Sequence, residues 1–203
     1  MRTSCIVLAA GMSKRVGTPK QLLEVRGKPM LQHVVDLVRE LGMTTVVVVL
    51  GSAAKSILGK VDFVGCQTVI NECFSEGLAS SLIVGFNTIR DAADSVVIFL
   101  GDQPFVEAET VRQLLLVHGK TRLPLTVPVF KGTKGTPFIA DASFLKPVLD
   151  DRELLSGFRM FEGDQGAKLF FDRYENLTLN VGVEDSGVIN DIDYLTDLAR
   201  LAE

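Results

Sequence analysis

The sequence predicts an α/β protein built as a three-layer sandwich, with a mostly parallel sheet between two layers of helices. Three observations favour this fold class. Short runs rich in β-branched residues alternate with amphipathic helical patterns, as in repeated βαβ units. Two of the runs, Cys5 to Leu8 and Ser95 to Leu100, are apolar almost throughout, which is typical of strands buried on both faces. No repeat, low-complexity tract or linker interrupts the pattern, so residues 1–203 are expected to form one domain.

The first half of the chain is predicted to contain four strands separated by helices. The strands are placed where apolar and β-branched residues cluster, at 3–8, 44–50, 66–70 and 95–100. Pro29 is a favourable first helical residue, and apolar side chains then recur at helical spacing until Gly42 ends that helix. Further helices are predicted at 53–58 and 78–89. Because the run at 95–100 is so apolar, we expect it at the centre of the sheet.

The second half is predicted to begin with a helix at 106–118 and a strand at 124–130. A glycine-containing turn follows at 131–135, and the segment 136–139 is predicted to form a hairpin with that strand. Later elements are a strand at 177–181 and helices at 141–149, at 153–171 with a break around 163–166, and at 194–201. The hairpin and the late strand together suggest one antiparallel insertion in the sheet.

The segment after the first strand carries the clearest chemical signal. The strand ends in small residues, Ala9, Ala10 and Gly11, which let another group approach the backbone closely. Three cations follow within seven positions: Lys14, Arg15 and Lys20. Open backbone N–H groups combined with Arg and Lys suit a phosphate chain. The spacing fits neither a Walker A loop nor Gly-x-Gly-x-x-Gly, and the alternative is an ordinary glycine turn with surface cations.

Carboxylates near the ends of predicted strands indicate a metal site. Asp102 directly follows the apolar run at 95–100, where an unpaired carboxylate would need a cation, and Mg²⁺ is the natural one. Asp191 and Asp193 are two residues apart on an extended stretch, so both can point the same way and either could complete the site. The alternatives are that Asp102 caps the next turn and that Asp193 caps the last helix.

The start of the helix at 78–89 is expected to lie at the edge of the sheet where the parallel strands end. Ligands of open α/β sheets bind beyond the carboxyl ends of the strands. This rule predicts that residues 9–20, Asp102 and Asp191 lie together at one edge of the sheet. The helix at 78–89 opens with Ser80 and Ser81, whose hydroxyls and neighbouring N–H groups can hold an anion or a base edge. The alternative here is an ordinary polar helix start.

These groups fit nucleotidyl transfer from a nucleoside triphosphate. Cations, among them Lys134 beyond the hairpin, would gather the charge that builds on phosphorus and on departing pyrophosphate. No strong general base appears in the sequence. None is needed if the acceptor is a phosphate monoester, because its second pKa is about 6 and it is a dianion at neutral pH.

Composition excludes several other classes. Hydrophobic residues make up 47% of the chain, so a sizeable core is expected, and a net charge of −4 without a basic block argues against nucleic acid as a partner. Three scattered cysteines indicate neither a disulfide framework nor a zinc site, and His33 and His118 lack partners at metal-ligand spacing. No signal peptide or membrane-spanning run is evident, so we expect a cytoplasmic protein without membrane contact.

At this point the motifs resemble those of nucleotidyltransferases of the MobA-like family. The first motif reads Leu8-Ala9-Ala10-Gly11-x-Ser13-x-Arg15-x-Gly17-x-x-Lys20, and its Ala-Ala-Gly variant is most similar to the molybdenum cofactor cytidylyltransferase branch. Four later segments resemble family motifs in the same chain order: Glu76 to Leu82, Gly101 to Pro104, Gly163 to Lys168, and Asp191 to Leu198.

The resemblance implies a Rossmann-like fold and a nucleotidyltransferase domain. The implied reaction is Mg²⁺-dependent transfer of CMP from CTP to the phosphate of a molybdopterin-type cofactor, with Mn²⁺ as a substitute metal and a molybdoenzyme or its chaperone as a candidate recipient. The implied catalytic residues are Arg15, Lys20 and Asp102, and the metal ligands are Asp102 with Asp191 or Asp193. The implied nucleotide contacts are Leu8, Ala9, Ala10, Gly11, Ser13, Arg15, Lys20, Ser80, Ser81 and Asp102.

Departures from the family pattern concern the acceptor. Lys134-Gly135-Thr136-Pro137 stands where this branch often has Arg-Gly-His-Pro, and Tyr194-Leu195 replaces Thr-Pro. The acceptor-side candidates are Lys134, Thr136 and Asp164. Two alternatives stay open: a nucleotidyltransferase that uses another nucleotide or a sugar, polyol or small-acid phosphate, and a non-catalytic nucleotide- or cofactor-binding accessory protein.

Overall fold

The computed structural model describes residues 2–11, 18–151 and 166–192. Its strands are β1 (Thr3–Ala9), β2 (Glu24–Val25), β3 (Lys28–Pro29), β4 (Val46–Leu50), β5 (Gln67–Ile70), β6 (Ser95–Leu100), β7 (Leu125–Phe130), β8 (Thr133–Lys134), β9 (Phe138–Asp141) and β10 (Thr178–Gly182). Its helices are α1 (Met30–Glu40), α2 (Ala54–Leu58), α3 (Leu78–Ile89), α4 (Ala108–His118), α5 (Ala142–Asp150) and α6 (Gly166–Arg173).

The main sheet has the order β10-β7-β9-β6-β1-β4-β5, with β8 paired to the end of β7. β6 pairs in parallel with β1 and occupies the middle of this order, as the sequence predicted. β9 runs antiparallel to both of its neighbours, β6 and β7. The sheet is therefore mostly parallel with an antiparallel insertion, which confirms the predicted fold class.

One detail of the predicted insertion is wrong, because the late strand, β10, pairs in parallel with β7. Residues 131–177 connect these two strands and include α5 and α6, so the connection is long enough for the crossover that parallel pairing requires. The predicted hairpin is confirmed, since β9 pairs antiparallel with β7, although β8 makes the tight turn and Thr136 and Pro137 precede β9.

Alternate residues of β1 face two separate hydrophobic layers. Ile6 and Leu8 pack with buried side chains of α3, α5 and α6, whereas Cys5, Val7 and Ala9 pack with those of α1, α2 and α4. Because the side chains of a strand alternate between faces, one apolar strand supports both layers. This arrangement is the three-layer sandwich predicted from the sequence.

Helix α3 lies directly on β1 and β4 because Gly85 faces the sheet. A Cβ atom built on Gly85 would lie 2.7 Å from Ile6 Cγ2 and 2.9 Å from Val49 Cγ2. Only a residue without a side chain allows this close approach. The packing fixes the helix so that its first turn, which follows β5, lies at the carboxyl edge of the parallel strands.

Several element boundaries differ by a residue or two from the predictions. Pro29 caps α1 and ends β3, so the helix begins at Met30, and α4 begins at Ala108. Gly42 has a φ of +64° just beyond α1 and ends it as expected. The first part of the predicted helix at 153–171 and the closing helix at 194–201 lie outside the described residues. No helix within the described ranges combines the length and apolarity needed to cross a membrane.

Candidate active site

The carboxyl ends of β1, β4 and β6 meet at one edge of the sheet. Ala9 is the register partner of Leu50, and Leu8 is the partner of Leu100. The N–H of Gly101 donates to the carbonyl of Leu8 at 2.9 Å, which places the segment after β6 beside the end of β1. The structure thus brings Ala9, Ala10 and Gly11 next to the segment that carries Asp102.

Lys20 and Asp102 form an ion pair at this edge. The Lys20 Nζ lies 2.5 Å from Asp102 Oδ2, and the two side chains are 17% and 18% exposed. Lys20 begins a short 3₁₀ turn, Lys20–Leu22, that follows the first motif, and Asp102 follows β6. The contact joins two residues that are 82 positions apart in the chain, so two separate motifs form one site.

The other carboxylate oxygen of Asp102 is buried and has no hydrogen-bond partner in the described part of the chain. A buried, unpartnered carboxylate oxygen is unfavourable, and such groups in native proteins commonly mark a missing ion or ligand. The oxygen and its neighbouring lysine are suited to a divalent cation and a phosphate, respectively.

Gln103 links the Asp102 segment to Asp191. Its Nε2 donates to Asp191 Oδ1 at 2.6 Å, and the N–H of Ile192 donates to the carbonyl of Asp102 at 3.0 Å. The segment that carries Asp191 therefore lies against the segment that carries Asp102. Within the described ranges, no three His, Cys, Asp or Glu side chains form a complete metal cluster. Two carboxylates would fit Mg²⁺, which takes its other ligands from water and substrate phosphates.

Gln21 is a site residue that the sequence analysis missed. Its side chain is 2% exposed, and Nε2 donates to the carbonyls of Ala9 at 3.0 Å and Gly11 at 3.3 Å. The side chain thereby ties the start of the first motif to the turn that carries Lys20. A polar residue between Lys20 and the apolar Leu22 was the available signal, although the sequence could not show what Gln21 bonds.

Ser80 and Ser81 lie in the first turn of α3, and their hydroxyls bond to Asn71. Asn71 Nδ2 is 2.8 Å from Ser80 Oγ and 2.9 Å from Ser81 Oγ, and Ser80 Oγ also lies 2.8 Å from the carbonyl of Gly77. These bonds attach the loop after β5 to the helix start. Contact of either serine with a nucleotide stays a prediction, and Asn71 is a second residue whose role was not anticipated.

The structure describes two of the three acceptor-side candidates, Lys134 and Thr136. Lys134 pairs with Glu175 and lies 3.4 Å from Asp172, so its charge is balanced by two carboxylates. Its hydrogen bond and charge lower the pKa of Glu175 below the ordinary value. Thr136 is 4% exposed, and its hydroxyl donates to Gln103. Asp164 lies outside the described residues, as do Ser13, Arg15 and Asp193.

A cleft of about 440 Å³ opens beside the Asp191 segment. Its lining includes Pro104 and Asn190, which are close in sequence to Asp102 and Asp191, respectively. The guanidinium of Arg26 lies 5.1 Å from the centroid of the Phe105 ring, and both residues line the cleft together with Glu107 and Glu184. The lining carries more carboxylates than guanidinium groups, so the cleft disfavours a second phosphate.

A small-residue loop, a lysine and a carboxylate at the carboxyl edge of a parallel sheet define an α/β protein of the nucleotide-binding class. The model of the MobA-like NTP transferase domain matches residues 5–177. The chain therefore belongs to the MobA-like NTP transferase family and is a nucleotidyltransferase, as the motif resemblance implied. A nucleoside triphosphate is the substrate that this family implies.

Two relatives match the chain over nearly its whole length. Nicotine blue oxidoreductase from Paenarthrobacter nicotinovorans is 27% identical over 202 residues, which cover 97% of this chain and 94% of that protein. The crystal structure of Rv0371c from Mycobacterium tuberculosis H37Rv has a TM-score of 0.82 and 28% identity, and covers 98% of this chain and 97% of its own.

A structure of Rv0371c in complex with manganese has also been solved. It has a TM-score of 0.78 and 28% identity, and the match covers 99% of this chain and 98% of that chain. A nucleotidyl transferase from Methanothermobacter thermautotroptrophicus is 20% identical with a TM-score of 0.75, and covers 98% of this chain and 95% of its own. The last of these shows a shared fold alone.

Proposed function

We propose that this protein transfers CMP from CTP to the terminal phosphate of a molybdopterin-type cofactor, with release of pyrophosphate and with Mg²⁺ or Mn²⁺ bound. The observation that carries the proposal is the pairing of Lys20 with Asp102, whose second carboxylate oxygen is buried and has no hydrogen-bond partner among the residues that the structure describes. A lysine that can pair with phosphate stands beside a carboxylate that can ligate a metal. The manganese complex of Rv0371c supports the choice of a divalent cation.

In the proposed reaction, an oxygen of the acceptor phosphate attacks the α-phosphorus of CTP. The new P–O bond forms while the bond to the β-phosphate oxygen breaks, and pyrophosphate leaves with the electron pair. The acceptor is already a dianion near neutral pH because its second pKa is about 6, so no side chain has to remove a proton. This agrees with the absence of a histidine from the described part of the site.

The chain's own residues bind and orient the substrates. Ala9, Ala10 and Gly11 offer a close backbone approach to the nucleotide, and Gln21 holds that loop in place. Lys20 would pair with phosphate oxygens of the triphosphate. The metal, held by Asp102 with Asp191 or Asp193, would neutralise charge on the phosphates. Arg15 is proposed as a second cation for the triphosphate.

CTP is favoured by the Ala-Ala-Gly form of the first motif, which resembles the cytidylyl branch. The test is pyrophosphate release by purified protein with Mg²⁺, the molybdenum cofactor and each nucleoside triphosphate in turn. A rate of pyrophosphate release with CTP that is well above the rate with each other nucleoside triphosphate supports the proposal. Release with GTP in place of CTP would reject the cytidylyl assignment and leave nucleotidyl transfer standing.

For the acceptor, there is an alternative that keeps the same nucleotidyl transfer: another phosphorylated small molecule in place of the pterin cofactor. Lys134 is paired with acidic side chains and Thr136 is buried, so neither offers a free group to an acceptor. We propose that the cleft lined by Arg26 and Phe105 takes the body of the acceptor, and an uncharged pterin ring fits its acidic lining. A panel of sugar, polyol and small-acid phosphates tests whether another acceptor is preferred.

An oxidoreductase is the second candidate, since nicotine blue oxidoreductase matches nearly the whole chain. Reduction of a substrate by NADH or NADPH requires no metal carboxylate, so Asp102→Asn separates the two functions. A loss of pyrophosphate release in this variant supports nucleotidyl transfer. Wild-type protein that oxidises NADH with a dye substrate but never releases pyrophosphate would favour the oxidoreductase.

A non-catalytic accessory protein that delivers cofactor to a molybdoenzyme or its chaperone is the third candidate. Retention of Lys20 beside Asp102 argues against it, because simple nucleotide binding does not need a metal carboxylate. Wild-type and Asp102→Asn proteins that bind nucleotide equally and are equally inert would favour this candidate.

A further inference from the structure

Thr136, Gln103 and Asp191 form a chain of hydrogen bonds that leads to the proposed metal site. Thr136 and Gln103 are each 4% exposed. The Thr136 Oγ1 donates to Gln103 Oε1 at 2.5 Å, and Gln103 Nε2 donates to Asp191 Oδ1 at 2.6 Å. The three residues come from three distant segments, so this chain of bonds exists only in the folded protein.

Two acceptors, the Asp191 carboxylate and the Val188 carbonyl, fix which way the Gln103 amide faces, and the Thr136 hydroxyl donates to its opposite side. An amide has one acceptor side and one donor side, and only the donor side can bond a carboxylate. With the hydroxyl bonded to Oε1, Nε2 is directed toward Asp191 and also lies 3.4 Å from the carbonyl of Val188. Loss of the hydroxyl would leave Oε1 buried without its donor and remove the bond that anchors this side of the amide.

The backbone around Thr136 is also pressed against the segment that carries Asp191. The N–H of Thr136 donates to the carbonyl of Val188 at 2.8 Å. A Cβ atom on Gly135 would lie 2.3 Å from the same carbonyl oxygen, so only glycine permits this approach. Thr136 is therefore enclosed between Gln103 and the backbone before Asp191.

We propose that Thr136 is a positioning residue that acts through Gln103 to orient the carboxylate of Asp191 for the catalytic metal. This inference rests on the proposed metal-dependent function and adds residues to that site. Groups that orient metal ligands typically change metal affinity about 10- to 100-fold when they are removed. The proposal replaces the sequence-based expectation that Thr136 contacts the acceptor.

The test compares three variants of the full chain by Mn²⁺ binding, measured from the electron paramagnetic resonance signal of free Mn²⁺ with and without CTP. Thr136→Val removes the hydroxyl at nearly constant volume, and Thr136→Ser retains it. Thr126→Val is the matched control. Thr126 lies on β7 and is fully buried, and its hydroxyl is 2.9 Å from Nδ1 of His118.

Thr136→Val is expected to weaken Mn²⁺ binding about 10- to 100-fold. It should also raise the metal concentration needed for half-maximal pyrophosphate release, while the KM for the acceptor stays unchanged. Thr136→Ser is expected to restore Mn²⁺ affinity toward that of the wild type. Thr126→Val should lower Tm without changing Mn²⁺ affinity. If Thr136→Val does not fold, Gln103→Met is expected to show the same loss of Mn²⁺ affinity.

Three results would overturn the inference. A Thr136→Val protein with lower Tm but wild-type Mn²⁺ affinity would reduce Thr136 to a structural role. A higher acceptor KM with unchanged Mn²⁺ affinity would return Thr136 to the acceptor site. Wild-type protein that binds no Mn²⁺, with or without CTP, would instead overturn the proposed metal-dependent function, and the inference with it.

Discussion

The Lys20 Nζ lies 2.5 Å from Asp102 Oδ2, so a lysine occupies one oxygen of the carboxylate proposed to ligate the metal. A divalent cation bound to this carboxylate would be repelled by the neighbouring ammonium group. Arrival of a triphosphate would give the lysine a new anionic partner and leave the carboxylate to the metal. Metal binding and nucleotide binding are therefore expected to favour each other.

Replacement of Lys20 by Met is expected to separate metal binding from turnover. Without nucleotide, Lys20→Met should bind Mn²⁺ more tightly than the wild type, because the competing cation is gone. Pyrophosphate release should fall about 10²- to 10³-fold, as for other losses of a group that stabilises developing charge. Electron paramagnetic resonance of free Mn²⁺ and a pyrophosphate assay measure the two effects.

Lys28→Met is the control for this experiment. Lys28 also pairs with an aspartate, Asp36, but both side chains are well exposed, at 40% and 41%. An exposed pair of this kind contributes little to stability. The control should leave Mn²⁺ binding and turnover unchanged. Weaker Mn²⁺ binding in Lys20→Met would contradict the competition between lysine and metal.

Gly85→Ala is expected to destabilise the fold through the contact of α3 with the sheet. The added methyl would lie 2.7 Å from Ile6 Cγ2, so the helix or the strand must shift. Overpacking of this kind costs about 1–3 kcal/mol, which urea unfolding can measure. Gly59→Ala is the control, since the nearest atom to its added Cβ is 3.8 Å away. Equal stabilities of the two variants would mean that α3 packs less closely than described.

Protonation of His118 is expected to make stability depend on pH. His118 is buried, its Nδ1 lies 2.9 Å from Thr126 Oγ1, and its Nε2 lies 3.2 Å from Asp141 Oδ1. Burial lowers the pKa of His118 below its ordinary value, and the Asp141 carboxylate only partly opposes this. The unfolded chain therefore binds a proton that the folded protein resists, so stability is lost as pH falls below about 6.5.

The measurement is the difference in free energy of unfolding between wild type and His118→Gln across this pH range. Glutamine cannot take up the proton, so the wild type should lose more stability than the variant as the solution is acidified. The difference between them should narrow toward low pH. A difference that widens at low pH would mean that Asp141 dominates and raises the pKa of His118.

The sequence predicted the elements whose signal is local. The apolar runs of β1 and β6 and the spacing of apolar residues in α1 identified buried strands and an amphipathic helix without knowledge of their neighbours. The rule that ligands bind beyond the carboxyl ends of parallel strands also predicted that Ala9–Gly11 and Asp102 lie close together. The direction of β10 was missed because it depends on the long connection from β7, which includes α5 and α6, and not on strand composition.

The polar partners could not be predicted, because they depend on contacts between distant segments. Thr136 and Gln103 are 33 positions apart, and Gln103 and Asp191 are 88 apart. The sequence predicted Thr136 as an acceptor-side candidate because it stands where the branch that the chain resembles often has histidine. Its burial and its bond to Gln103 appear only once β9 lies beside β6.

The most direct test of the central claim is pyrophosphate release from CTP by wild-type protein and by Asp102→Asn, with Mg²⁺ and the molybdenum cofactor present. Asparagine preserves the size of the side chain and removes the charge that would hold the metal. The account predicts rapid, Mg²⁺-dependent release by the wild type and a fall of about 10²-fold or more in the variant. Equal release by both proteins, or release by the wild type without any divalent cation, would contradict it.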